Sequence, residues 1–267
     1  MKMTLQSAAT TKEWDKRVAR AADLAERFAY AREVLAFYGE VLKLQKRIFQ
    51  EANAESSVAD DAPLRMRLDA SAAKRYLPAL LALAEEHGPE KLAEDASAVR
   101  AMSPEEQQQM LRKFITGEPV EQPFFARALF QPFAEQIAHA STPPAPATVK
   151  VCPICGGRPQ AAVLRPEGDG GKRFLLCSLC LTEWEFRRIL CPVCGEEDYK
   201  KLPRYTAEDP VSVRVEGCDT CHFYLKSIDM TVDGLAVPLV DEVASVPLDL
   251  WATEHGYKKA EPNLMGF

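Results

Sequence analysis

The first 151 residues of this 267-residue chain contain no cysteine, and none follows Cys221. Disulfides therefore cannot staple the first half. Histidine is almost as scarce: His87, His139, His222 and His255 are scattered, and no Ser, Asp or Lys arrangement around them makes a catalytic set. No glycine loop of the P-loop kind is present to cradle a phosphate. No apolar run approaches the ~20 residues that a membrane span requires. No positively charged start leads into an apolar segment, so no secretory signal is expected. An excess of basic residues is missing too. The chain has 33 Lys and Arg against 39 Asp and Glu, a net charge of −6, and its pI is about 5.4.

What is present is concentrated. All eight cysteines fall in four Cys-x-x-Cys pairs: Cys152/Cys155, Cys177/Cys180, Cys191/Cys194 and Cys218/Cys221. Four thiolates suit one tetrahedral metal, so eight suit two closed sites. The first and third pairs read Cys-Pro-x-Cys-Gly, ending on Gly156 and Gly195, whereas Leu181 and His222 follow the second and fourth. Glycine there permits positive φ, which turns backbone N–H groups onto the thiolates. The pairs alternate in type, with 21 residues between the inner cysteines of the first half and 23 in the second. This reads as a duplicated ribbon. Site one would be Cys152, Cys155, Cys177 and Cys180; site two would be Cys191, Cys194, Cys218 and Cys221. A cross-braced arrangement joining the first pair to the third is the alternative. Such spacing without a signal segment favours thiolate metal sites in a reducing cytoplasm over disulfides.

The first half reads as helical. From Glu13 to about Gln50 the residues Leu24, Phe28, Ala31, Leu35, Tyr38 and Leu42 recur at helical spacing. Residues 53–63 read as a connection. A second helical region runs from Leu64 towards Glu86, where Pro78 should break it or open a new helix. Gly88-Pro89 reads as a stop followed by a fresh start. Ser103-Pro104-Glu105-Glu106 has the pattern of a capping box, and its helix should end near Gly117. Pro123 to His139 makes a last helix whose Phe124, Phe125 and Phe133 are read as core and not as a ligand pocket. Residues 141–147, rich in proline, read as a stiff linker.

Beyond the linker, strand patterns replace helical ones. Gln160–Leu164 and Lys172–Leu176 flank a Gly-rich turn, and Thr182–Leu190 makes a third strand. Lys200–Tyr205, Val211–Glu216 and Phe223–Asp229 repeat the layout, and Leu248–Trp251 suggests a closing helix. A three-stranded sheet has too little core to hold by burial alone, so metal would be needed for folding. The expected fold class is α+β. An all-α helical domain (1–147) precedes two tandem rubredoxin- or zinc-ribbon-like modules (148–190 and 191–267).

Several stretches together resemble a known family. They are Cys152-Pro153-Ile154-Cys155-Gly156, Cys177 to Trp184, Arg188 to Gly195, Cys218 to Lys226 and Leu248 to Ala252. In these the chain is similar to the formate dehydrogenase accessory proteins of the FdhE type, over roughly its last 120 residues. The resemblance implies a helical domain joined to two rubredoxin-like modules, each able to hold an iron, whereas a tetrahedron of sulfurs by itself suits zinc and iron alike. It also implies a cytoplasmic protein that binds the catalytic subunit of a formate dehydrogenase during maturation.

Other classes fare worse. From Val149 onward there are 14 Lys and Arg against 18 Asp and Glu. Two divalent ions on eight thiolates would add about four negative charges, the wrong balance for nucleic acid. Lys200, Lys201 and Arg204 form a local basic patch, which a solvated loop explains equally well. A rubredoxin-like electron carrier is the other alternative, because iron in a thiolate cage is redox-active. With four thiolates already available, His222 reads as a neighbour of the site or a surface residue in preference to a ligand, and Asp219 reads as a turn residue. No catalytic residue, nucleic-acid partner or membrane partner is expected.

Overall fold

The computed structural model describes residues 2–52, 62–139, 148–208 and 210–267. The proline-rich linker, most of the 53–63 connection and Asp209 lie outside the described residues. No helix among the described residues is long and apolar enough to cross a membrane.

The stripe from Leu24 to Leu42 is buried as its spacing requires, but it does not form one helix. Helix α1 (Lys2–Arg27) and helix α2 (Arg32–Glu51) are separated by a 3-10 turn, Ala29–Ala31. Phe28 leaves the helix with φ −109° and ψ 95°. No glycine or proline marks this break. Its cause is tertiary: a straight helix over residues 13–50 would be about 57 Å long and would leave much of its stripe in water. Folding back sets α1 against α2, so close at one point that a Cβ on Gly39 would lie 3.9 Å from that of Ala21.

Helices α3 (Ala70–Lys74), α4 (Leu77–His87), α5 (Glu90–Ala101), α6 (Pro104–Thr116) and α7 (Pro123–His139) complete the helical half. Pro78 opens α4 from within its first turn. Ser103 accepts a hydrogen bond from the Glu106 N–H, and the Glu106 carboxylate accepts one from the Ser103 N–H at 2.7 Å. Gly117 then closes α6 at φ +80°. Pro132 remains inside an unbroken α7, buried with Phe125, Leu129 and Phe130.

The second half is one sheet. Strands β1 (Pro159–Glu167), β2 (Gly170–Cys177) and β3 (Glu183–Glu185) belong to the first module; β4 (Arg204–Thr206), β5 (Val213–Gly217) and β6 (Phe223–Asp229) belong to the second. The third strand is shorter than its sequence suggests, covering only the residues around Trp184. The order β3-β2-β1-β6-β5-β4 joins the modules edge to edge, because β1 runs parallel to β6 from Ala161↔Lys226 to Leu164↔Asp229. Left separate, each module would expose an apolar edge strand with unpaired backbone groups. Pairing removes both edges at once.

Helices α8 (Pro238–Ala244) and α9 (Val246–Glu254) follow, and the short β7 (Lys258–Lys259) returns beside Phe223 and Tyr224. They pack over a charged cluster within the core. Lys226, fully buried on β6, donates to Asp249 at 2.5 Å and lies 3.1 Å from Glu242; Lys259 bonds the same two carboxylates. The helical half is locked on by Arg20, which forks onto Asp241 and also bonds Asp233 at 2.6 Å. Arg17 similarly joins α1 to Glu135 on α7. One continuous apolar core runs through both halves.

Candidate metal centres

The structure brings the eight cysteines into two groups of four, and the grouping is tandem. Cys152, Cys155, Cys177 and Cys180 form one; Cys191, Cys194, Cys218 and Cys221 form the other, with the sulfurs of each group within 4.8 Å of one another. The cross-braced alternative is not what the fold builds. In cluster 1 the closest sulfur pairs are 3.5 Å (Cys152–Cys180) and 3.3 Å (Cys155–Cys177) apart. In cluster 2 they are 3.7 Å (Cys191–Cys221) and 3.6 Å (Cys194–Cys218). A tetrahedron with metal–sulfur bonds of ~2.3 Å has edges of about 3.8 Å, so both groups fit a four-thiolate ion. All eight cysteines are free of disulfides.

The four pairs share one backbone device. The N–H of the first cysteine bonds a carbonyl five residues on: Cys152 to Gly157, Cys177 to Thr182, Cys191 to Glu196 and Cys218 to Phe223, at 2.7–3.0 Å. The residue after the second cysteine sits at positive φ in every case. Gly156 (+70°) and Gly195 (+91°) do so as their type allows, while Leu181 (+56°) and His222 (+57°) adopt it without that freedom. A non-glycine residue there is held at a cost of about 1–3 kcal/mol. The signal for it was positional, since both residues follow the second cysteine of their pair. Backbone N–H groups then aim at sulfur: Gly157 at Cys155 (3.3 Å), Leu179 at Cys177 (3.4 Å) and Val193 at Cys191 (3.4 Å). Such donors favour the thiolate form that a metal needs.

Crowding four thiols separates their acidities. Hydrogen bonds from Cys152, Cys177 and Cys180 hold Cys155 far below the usual thiol range, while burial pushes Cys177 up. A cation among the sulfurs would remove that conflict.

Several neighbours were not legible as part of a site. Arg127 and Gln131 of α7 both donate to the Ser178 carbonyl, inside the second pair, at 3.2 and 2.8 Å. Thr182 Oγ1 lies 3.2 Å from Cys180 Sγ. Asp219 is more than a turn residue, because it accepts the Tyr257 hydroxyl at 2.5 Å. His222 is exposed and stands outside the sulfur group. Among the remaining histidines, His139 lies 3.7 Å from Glu135, and His255 stacks on Trp251.

A helical half fused to a seven-stranded sheet that carries two four-cysteine clusters defines a class of protein with known members. Residues 151–188 match the family model "FdhE, central domain", and residues 189–265 match "FdhE, C-terminal domain". The chain is 29% identical over 260 residues to the "Protein FdhE homolog" of Aquifex aeolicus (strain VF5), covering 91% of this chain and 92% of that protein. It is 38% identical over 122 residues to the "Protein FdhE homolog" of Pseudomonas aeruginosa, which spans 43% of this chain and 39% of that one. The crystal structure of the FdhE protein from Pseudomonas aeruginosa shares the fold, with a TM-score of 0.72 and 24% identity over 96% of both chains. Residues 151–265 thus carry matches to two FdhE domains, and the chain is similar to an FdhE homologue over most of its length.

Proposed function

We propose that the chain is a cytoplasmic accessory factor in the maturation of formate dehydrogenase. It binds that enzyme's catalytic subunit and holds two mononuclear ions, iron by preference and zinc as the alternative. Cys152, Cys155, Cys177 and Cys180 hold the first, and Cys191, Cys194, Cys218 and Cys221 hold the second. The observation that carries this reading is the pair of four-sulfur clusters, each spaced for one ion, on a chain that matches two FdhE domains. Four sulfurs close a site to substrate, so the protein acts by binding another protein and not by turnover. Iron in such a cage supplies a one-electron couple that zinc lacks. The test is anaerobic co-purification with the tagged catalytic subunit, beside formate dehydrogenase assays in a strain lacking this chain. A recovered complex and a loss of enzyme activity are expected. Full activity with no complex contradicts the reading, and a nucleic-acid binding curve with a steep salt slope would replace it.

A further inference from the structure

The two clusters share a plan but not surroundings. All four cysteines of cluster 1 are buried. Its second pair is held from behind by α7, where Arg127 and Gln131 grip the Ser178 carbonyl and Gln45 bonds Gln131 at 3.0 Å. Gly157 fits so tightly that a Cβ there would lie 3.1 Å from the sulfurs of both Cys155 and Cys177. In cluster 2, Cys194 is exposed and Cys221 half-buried. A cavity of ≈ 30 Å³, lined by Cys191 and Cys218 with Arg173, Arg188 and Glu216, adjoins it. That is room for about one water. Most braces of cluster 2 are surface contacts, such as Thr220 to Glu196 at 2.5 Å and Lys150 to the Val193 carbonyl at 3.5 Å, and a part-buried one is the Tyr257 hydroxyl on Asp219 at 2.5 Å.

On the reading that both clusters bind metal, the geometry points to a division of labour: cluster 2 exchanges its ion with a soluble thiol or chelator while the protein stays folded, and cluster 1 releases its ion only when the fold opens. Exchange requires an incoming donor to reach the ion as a sulfur lets go. At cluster 2 the exposed Cys194 and half-buried Cys221 give that access. The ion passes to the new ligand, each freed thiolate takes a proton from water, and no electrons move. At cluster 1 a donor must first lift the second pair off α7, which is an opening of the core and draws on far more of the folding free energy.

The full chain loaded with two equivalents of zinc, the ion used as probe, would be mixed with a chromogenic pyridylazo chelator and iodoacetamide. One equivalent should leave at least about tenfold faster than the other. Cys194 and Cys221 should be alkylated in the fast phase and the cluster 1 cysteines in the slow one. Denaturant should accelerate the slow phase in step with unfolding. Cys194→Ser should abolish the fast equivalent and leave one slowly released equivalent, whose rate rises only in step with any loss of global stability. Two equivalents leaving at one rate, or cluster 1 labelled first, overturns the inference. A folded chain that takes up fewer than two zinc ions instead removes the metal reading on which it rests.

Discussion

Val163 on β1 stands opposite Ile228 on β6 in parallel register, and this pairing welds the two cysteine modules into one sheet. Both side chains are fully buried. The ions of the two clusters would be separate, but the stability they contribute would be shared.

That separation and sharing can be measured together. Cys177→Ser should lose one ion per chain and keep the ion at Cys191. It should also lower the single melting transition of the whole sheet, by roughly 5–10 °C. Metal analysis and calorimetry check this. Retention at Cys152 with loss at Cys191 would contradict the tandem grouping.

The buried charges under α8 and α9 give a second expectation. Lys226→Met removes a cation that bonds Asp249 and neighbours Glu242, leaving both carboxylates to Lys259. Breaking one side of a buried ionic group costs about 3–5 kcal/mol. A urea midpoint unchanged from the parent protein would argue against it.

Acid should unfold the protein through these groups. Burial opposes ionisation of Glu242, but Lys226 and Lys259 outweigh it and hold its pKa below the usual carboxylate range; Arg17 does the same for Glu135. A depressed folded pKa stabilises above the unfolded value of about 4.3, and that stability is lost as pH falls through the folded one. Unfolding free energy should therefore decline below about pH 4.3. Glu135→Gln should lower neutral stability and make the acid decline shallower, as followed by urea titration at several pH values.

A local prediction concerns α6. Ser103→Ala deletes the acceptor for the Glu106 N–H and should cost about 1 kcal/mol. Metal content should be unaffected, since the cap lies in the helical half.

The sequence carried the site more fully than the fold around it. Cys-x-x-Cys pairs with Gly156 and Gly195 announce a local geometry that ~4 residues determine, and the structure places those glycines at positive φ. Leu181 and His222 adopt the same conformation within loops closed by the Cys177 N–H on the Thr182 carbonyl and the Cys218 N–H on the Phe223 carbonyl, which residue type does not reveal. The stripe from Leu24 to Leu42 was legible as a buried face. The break at Phe28 was not, because it answers to packing between α1 and α2 and not to a local breaker. The β1–β6 pairing joins strands over 60 residues apart and leaves no local trace. Helix α8 was hidden by Asp241 and Glu242, which look like surface residues and are instead buried partners of Arg20, Lys226 and Lys259.

The most direct test of the central claim is metal analysis with X-ray absorption spectroscopy on anaerobically purified protein. Two ions per chain, each surrounded by four sulfurs, is the predicted result, from the two groups that the fold assembles. A single ion per chain, or nitrogen or oxygen in the first coordination sphere, would contradict it.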